Sequence, residues 1–143
     1  MSLASYAQYA GGDAILFTCS AFGEAIDLCK GAVSIPVLKP NEAMLEEALD
    51  QGGRIALLAT FAPSIDSITE EIMAAAELRQ MTVNVQSALA SEAMAALQAL
   101  DTARHDRLVS EMIGSVADAD VICFAQFSMT TAAPAWHLPI GLC

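Results

Sequence analysis

The stretch RIALLATFAPSIDSITEEIMAAAEL, residues 54–78, contains the two kinds of element that decide the fold. From Arg54 to Thr60 it is almost continuously apolar and of strand length, as expected where helices cover both faces of a parallel sheet. Pro63 and Ser64 then open a helical pattern, in which apolar residues recur at Ile65, Ile68, Ile72 and Met73. A buried strand followed by an amphipathic helix is the repeating unit of an α/β fold.

The same alternation continues on both sides of this stretch. The pattern predicts strands over residues 13–18, 33–38, 82–86, 121–125 and 138–143. It predicts helices over 24–30, 42–50, 91–100 and 102–117, with Asn41 as an N-cap and Gly52-Gly53 ending the second of them. We therefore expect parallel sheets flanked by helices and joined by right-handed crossovers.

Composition and charge exclude several classes of function. A chain of 143 residues with 55% hydrophobic content has ample material for a core. Its 17 acidic and 6 scattered basic residues give a formal charge of −11, which repels nucleic acid and anionic membrane surfaces. The uncharged segment after Asp120 is interrupted by polar residues and prolines, so we interpret it as buried strands joined by a loop rather than a membrane span.

The cysteines and histidines show no metal-binding or disulfide pattern. No pair of cysteines has C-x-x-C spacing, and neither histidine lies at a zinc-like distance from them in the sequence. With no secretory signal pattern at the start of the chain, this predicts reduced thiols in the cytoplasm. We expect Cys123 to be a core residue and the His105-Asp106 pair to be solvated or to act as a cap.

The ends of three predicted strands are rich in small and hydroxyl-bearing residues. These ends cover residues 18–22, 60–64 and 126–130. In parallel α/β sheets, ligands bind beyond the carboxyl ends of the strands. The sequence therefore predicts a ligand site formed by these three loops.

Four stretches carry a resemblance to a known superfamily. They are ILFTCSAFG at 15–23, VLKPNEAM at 37–44, LLATFAPSI at 57–65 and VICFAQFSM at 121–129. In order and spacing they resemble the aspartate/glutamate/hydantoin racemases, whose members place one such turn in each of two similar α/β halves. The resemblance implies a partial first half over residues 1–50 and a second half over 51–143, with the beginning of the first half missing.

The resemblance also implies a site that needs no metal, nucleotide or flavin. In this family a small carboxylate lies in the cleft between the halves, and thiols move a proton to or from its α-carbon. Cys19 matches the first thiol position, and Ser20 and Ala21 match donors to the substrate carboxylate. Thr60 and Ser64 match a loop that contacts the same carboxylate.

The second turn departs from the family pattern. Gln126 stands at the second thiol position, and we expect it to bind substrate together with Phe127 and Ser128. Because glutamine cannot act as a base near neutral pH, two alternatives to a racemase stay open. One is a one-cysteine decarboxylase or cis-trans isomerase of the same superfamily, and the other is a non-catalytic carboxylate-binding or assembly module.

We also expect a homo-oligomer. The family commonly oligomerises, and the missing elements would leave apolar surface that must be buried elsewhere.

Overall fold

The structure, a computed structural model, describes residues 2–18, 23–116, 118–135 and 140–142. The α-helices are α1 (Leu3–Tyr9), α2 (Gly23–Lys30), α3 (Glu42–Gln51), α4 (Pro63–Leu78), α5 (Ser91–Gln98) and α6 (Thr102–Gly114). The strands are β1 (Ile15–Leu16), β2 (Val37–Leu38), β3 (Arg54–Ala59), β4 (Asn84–Leu89), β5 (Val121–Phe124) and β6 (Ile140–Leu142). A 3₁₀ helix spans Phe127–Ala135.

All strand pairs in the described residues are parallel, which confirms the predicted fold class. Four strands form a sheet in the order β4-β3-β5-β6, and β1 pairs with β2 in a separate small sheet. The central strands are β3 and β5, the two that the sequence marks as most continuously apolar. Parallel strands of this kind are stable when both of their faces are covered.

Helices cover the four-stranded sheet on both faces. On one face, Ile55 and Leu57 pack with residues of α3 and α4. On the other, Ala56 and Leu58 pack with α5, α6 and the 3₁₀ helix. The alternation of side chains along β3 thus supplies both cores from a single strand.

The small sheet is shorter than the sequence predicts. The first prediction spanned 13–18 and the second 33–38, but each strand has two residues. Pro36 has no N–H to donate, and its carbonyl accepts from the N–H of Ile15 at 2.8 Å, just before β2 begins. Leu16 and Leu38 pair across one face of this sheet and are 61% and 47% exposed.

Two other expectations are wrong. Residues 127–135 form a 3₁₀ helix rather than a loop, and the hydroxyl of Thr130 reinforces it by donating to the carbonyl of Phe127 at 2.8 Å. His105 is buried, at 1% exposure, because it lies on the face of α6 that packs against the core. Cys123 is a core residue, as predicted.

Helix α3 packs on the four-stranded sheet, where Met44, Leu45, Ala48 and Leu49 join its core. The division of the chain near residue 50 stays a prediction. No helix within the described residues is long and apolar enough to cross a membrane.

Candidate functional site

The order of strands creates a topological switch point between β3 and β5. From β3 the chain crosses to β4 on one side, and it later returns to add β5 on the other side. At such a switch point the connections leave in opposite directions, so a crevice opens beyond the carboxyl ends of the two strands. Leu58 and Phe124 are register partners near those ends.

Thr60 and Gln126 meet beyond the carboxyl ends of β3 and β5. The Oε1 of Gln126 accepts the N–H of Thr60 at 2.7 Å and its hydroxyl at 3.1 Å. Since a backbone N–H can only donate, the oxygen of the carboxamide must face Thr60. The orientation of the amide therefore follows from the hydrogen bonds and is not arbitrary.

The amide nitrogen of Gln126 is left as an unused donor. Its Nε2 is buried and has no hydrogen-bond partner among the described residues. A buried donor without a partner costs roughly 1–3 kcal/mol, and an acceptor brought by a ligand removes that cost. A carboxylate oxygen is such an acceptor.

The other predicted residues of these two loops lie close by in the chain. Ser64 is 4% exposed in the first turn of α4, the helix that follows Thr60. Phe127 and Ser128 open the 3₁₀ helix directly after Gln126, and Phe127 is 47% exposed. The structure thus brings Thr60 and Gln126 into direct contact and places the remaining three on the elements that follow them.

Cys19, Ser20 and Ala21 lie outside the described residues. Their roles as catalytic residue and substrate donors therefore stay predictions. The described chain reaches Thr18 and resumes at Gly23, the first residue of α2.

A contact that the sequence does not predict anchors the 3₁₀ helix. The Oδ1 of Asp106 accepts the hydroxyl of Thr131 at 2.6 Å and lies 2.9 Å from Nδ1 of His105. Both contacts hold the pKa of Asp106 below its usual value, and the hydrogen bond from Thr131 has the larger effect. The sequence shows His105 beside Asp106, but nothing in it points to Thr131, 25 residues away.

A cavity of about 370 Å³ lies at the opposite end of the sheet, lined by residues that include Arg54, Asn84 and Asp118. It faces the amino ends of β3 and β4, away from the switch point, so we do not assign it to the site. Among the described residues, no group of three His, Cys, Asp or Glu side chains is arranged to hold a metal ion.

Comparison with known proteins agrees with this architecture. The family model for Asp/Glu/Hydantoin racemase matches residues 1–139. The chain belongs to that family. No curated protein sequence matches it.

Solved structures of three related proteins share the fold. A glutamate racemase isoform from Bacillus anthracis is 16% identical with a TM-score of 0.70, over 96% of this chain and 56% of the racemase. An arylmalonate decarboxylase is 19% identical with a TM-score of 0.58, over 97% of this chain and 67% of the decarboxylase. An aspartate racemase homologue from Pyrococcus horikoshii OT3 is 17% identical with a TM-score of 0.59, over 96% of this chain and 64% of the homologue. The chain therefore spans roughly three fifths of the length of these relatives.

Proposed function

We propose that this protein binds a small carboxylate, an amino acid or related acid, at the β3–β5 crevice and performs acid–base chemistry at its α-carbon with Cys19. The observation that carries the proposal is the unpartnered Nε2 of Gln126 at the switch point of a racemase-family fold. No cofactor takes part in this proposal.

The chemistry explains why donors are needed at this place. Removing a proton from the carbon beside a carboxylate leaves the electron pair of the C–H bond in a dianionic enediolate. Fixed donors aimed at the carboxylate oxygens lower that barrier. In the proposal, Gln126 supplies one such donor, and Ser20, Ala21, Thr60, Ser64, Phe127 and Ser128 complete the substrate site.

Cys19 is the proposed acid–base group. A thiol has a reference pKa of about 8.5, so both the thiol and the thiolate are accessible near neutral pH when nearby donors favour the anion. The thiolate takes the α-proton, and the thiol returns a proton to the enediolate. A racemase needs a second acid–base group on the opposite face of the carbon, and a carboxamide cannot exchange a proton there.

Gln126 therefore favours a second candidate, a one-sided reaction. In a decarboxylase, the C–C bond to the leaving carboxylate breaks, carbon dioxide departs and the Cys19 thiol protonates the enediolate that remains. In a cis-trans isomerase, the thiolate adds to a conjugated double bond, the new single bond rotates and the thiolate leaves. Each of these reactions uses one thiol.

Isotope exchange in deuterated water tests the catalytic proposal. The protein is incubated with small α-amino, α-hydroxy and malonate-type acids, and deuterium at the α-carbon is followed by NMR. We expect incorporation with at least one class of acid and its loss in Cys19→Ala, while Cys29→Ala retains it. Unchanged exchange in Cys19→Ala would show that the assigned role is wrong.

The same samples distinguish the candidate reactions. Inversion of configuration indicates a racemase, release of carbon dioxide from a malonate indicates a decarboxylase, and a change of double-bond geometry indicates an isomerase. A non-catalytic binding or assembly module would instead show a raised Tm with dicarboxylates and no turnover. A cytoplasmic location and a homo-oligomeric state also belong to this proposal.

A further inference from the structure

A polar cluster joins α2, the corner between β2 and α3, and α4. The Nδ2 of Asn41 donates to Oε2 of Glu71. The Nζ of Lys39 lies 2.8 Å from Oδ2 of Asp27 and 3.6 Å from Oε1 of Glu71. Glu71, on α4, is thus the member that contacts both residues of the β2–α3 corner.

Asn41 contacts Glu71 instead of capping α3 with its side chain. It stands at the N-cap position of α3, but its side chain makes no capping hydrogen bond. The residue is fully buried, and its Oδ1 has no partner among the described residues. An asparagine at this position normally stabilises the helix by capping it, so the side chain forgoes local stabilisation for a contact with Glu71 across 30 residues.

Gly23 brings the same carboxylate against the start of α2. A Cβ placed on Gly23 would lie 2.6 Å from Oε1 of Glu71 and 3.6 Å from Oγ of Ser67. Only a residue without a side chain allows this approach. A carboxylate beside a helix N-terminus is also favoured by the helix dipole.

We propose that Glu71 is a positioning residue that fixes the first turn of α2 against α4, with Asn41 and Lys39 holding its carboxylate in place. This inference rests on the proposed function, because Cys19 lies four residues before Gly23 in the chain. The placement of α2 then sets where the chain leaves the proposed catalytic residue.

Glu71 is partly buried among charged groups, and these surroundings shift its pKa. Burial raises the pKa of Glu71, against the opposing effects of Lys39 and Asn41. Burial also disfavours the charge on Lys39, but Asp27, Glu71 and Glu42 outweigh it, so the pKa of Lys39 is raised. Two further carboxylates, those of Glu24 and Glu70, line the adjoining cavity of about 340 Å³.

The sign of the effect follows from the raised pKa of Glu71. A group with a raised folded-state pKa gives stability that is complete below its unfolded value, about 4.5, and is lost as the pH rises through the folded value. Ionisation of Glu71 therefore lowers the stability of the folded chain, and the contacts of the carboxylate with Asn41 and Lys39 offset part of that loss.

Amide hydrogen exchange of the full chain tests the proposal. We expect Glu71→Leu to speed exchange in the 23–30 peptide at least tenfold, with exchange in α5 and α6 changed less than twofold. Glu71→Gln keeps the acceptor for Asn41 and should stay within threefold of the wild type at pH 5. After correction for the intrinsic rate, any rise of wild-type α2 exchange with pH should be smaller in Glu71→Gln, whose side chain does not ionise.

Matched control variants test the contact between Glu71 and Gly23 from each of its two sides. The exposed neighbour Glu70→Gln should retain the wild-type profile. Gly23→Ala should speed α2 exchange, whereas Gly31→Ala just beyond the helix should not, because its Cβ meets an atom no closer than 3.7 Å. Wild-type α2 exchange in Glu71→Leu, or equal acceleration in all helices, would overturn the inference.

The inference and the proposed function fail in different ways. If Glu71→Leu loosens α2 while α-carbon exchange survives Cys19→Ala, the link stands and the catalytic role of Cys19 does not. If Cys19→Ala abolishes α-carbon exchange while Glu71→Leu leaves both that activity and α2 exchange at wild-type levels, the catalytic proposal stands and the positioning role is wrong.

Discussion

At the scale of single residues, the oxygen and the nitrogen of the Gln126 carboxamide differ in their contacts. Its oxygen satisfies the N–H and hydroxyl of Thr60, and its nitrogen, which has no partner among the described residues, binds the ligand in the proposed function. A cysteine at this position would offer a thiol for proton transfer but only a weak hydrogen-bond acceptor. The residue that, in the proposed function, excludes symmetric acid–base chemistry thus also joins the two loops that follow β3 and β5.

Replacing Gln126 by leucine should destabilise the fold by about 1–3 kcal/mol, because the buried N–H of Thr60 loses its acceptor. Urea unfolding followed by circular dichroism measures this change. The exposed Gln98→Leu, at the end of α5, is the control and should change the free energy of unfolding by less than about 0.5 kcal/mol. Equal stabilities for the two variants would contradict the assigned hydrogen bond.

Thr60→Val tests the weaker of the two bonds. It removes the hydroxyl donor but keeps the backbone donor at 2.7 Å. We therefore expect the free energy of unfolding to fall by about 0.5–1.5 kcal/mol, less than in Gln126→Leu. Because both variants act on one contact, the double variant should lose less stability than the two single losses together. Strict additivity in the same urea experiment would argue against a shared network.

At the scale of elements, Gly52 shows how a turn depends on a distant carboxylate. Helix α3 ends at this glycine as predicted, but its φ of 162° is extended backbone that any residue adopts. The glycine is required by space, since a Cβ there would lie 2.6 Å from Cβ of Asp120. Asp120 accepts the N–H of Arg54 at 2.9 Å at the start of β3.

Gly52→Ala should therefore lower stability by about 1–3 kcal/mol, as expected when a well-packed contact is overfilled. Chemical denaturation of this variant is compared with that of Gly31→Ala, whose added Cβ makes only an ordinary contact. A loss in Gly31→Ala as large as that in Gly52→Ala would remove the steric explanation.

The 3₁₀ helix provides a second test at this scale. The hydroxyl of Thr131 is the main cause of the lowered pKa of Asp106, so Thr131→Val should raise that pKa toward its usual range. Carboxyl carbon shifts in an NMR titration measure it. Thr130→Val removes a hydroxyl that bonds within the helix and should leave the titration of Asp106 in place.

Strands and helices were predictable where their pattern is local. The apolar run of β3 and the period of α4 appear in consecutive residues; β3 forms within one residue of its predicted bounds, and α4 begins at Pro63 as predicted. The burial of His105 and the 3₁₀ helix after Gln126 were not predictable, because each depends on side chains brought from another part of the chain. The same distinction applies to the candidate site. Because ligands bind beyond the carboxyl ends of parallel strands, the sequence indicates the loops of Thr60 and Gln126. The hydrogen bond between the two residues was not predictable, because it depends on the order of the strands.

At the scale of the whole molecule, acidic charge is unevenly distributed. The first 40 residues contain three acidic and two basic residues, so nearly all of the net charge of −11 lies in the remainder. Self-repulsion of that part destabilises the compact state and is screened by salt. We expect Tm to rise by a few degrees between roughly 0.05 M and 0.5 M sodium chloride. In the double variant Glu46→Gln, Glu47→Gln, the same increase in salt should raise Tm by less.

The bare face of the small sheet leads to a prediction about assembly. Leu16 and Leu38 expose apolar surface in the part of the chain that carries little charge, where two copies of a strongly acidic protein repel each other least. If this face joins copies in the proposed homo-oligomer, Leu16→Glu should shift the mass measured by light scattering toward the monomer. Leu100→Glu, at an 87% exposed position just after the end of α5, should not.

The contact between Thr60 and Gln126 joins positions 66 residues apart. During synthesis on the ribosome, the first of these loops emerges well before its partner exists, and closure of so long a segment is slow compared with the formation of helices. In the proposed function, recognition of a ligand at this crevice therefore comes late in folding, after β5 has docked beside β3. A ligand added to a refolding reaction would accordingly report the completion of the sheet and would leave its earlier steps unaffected.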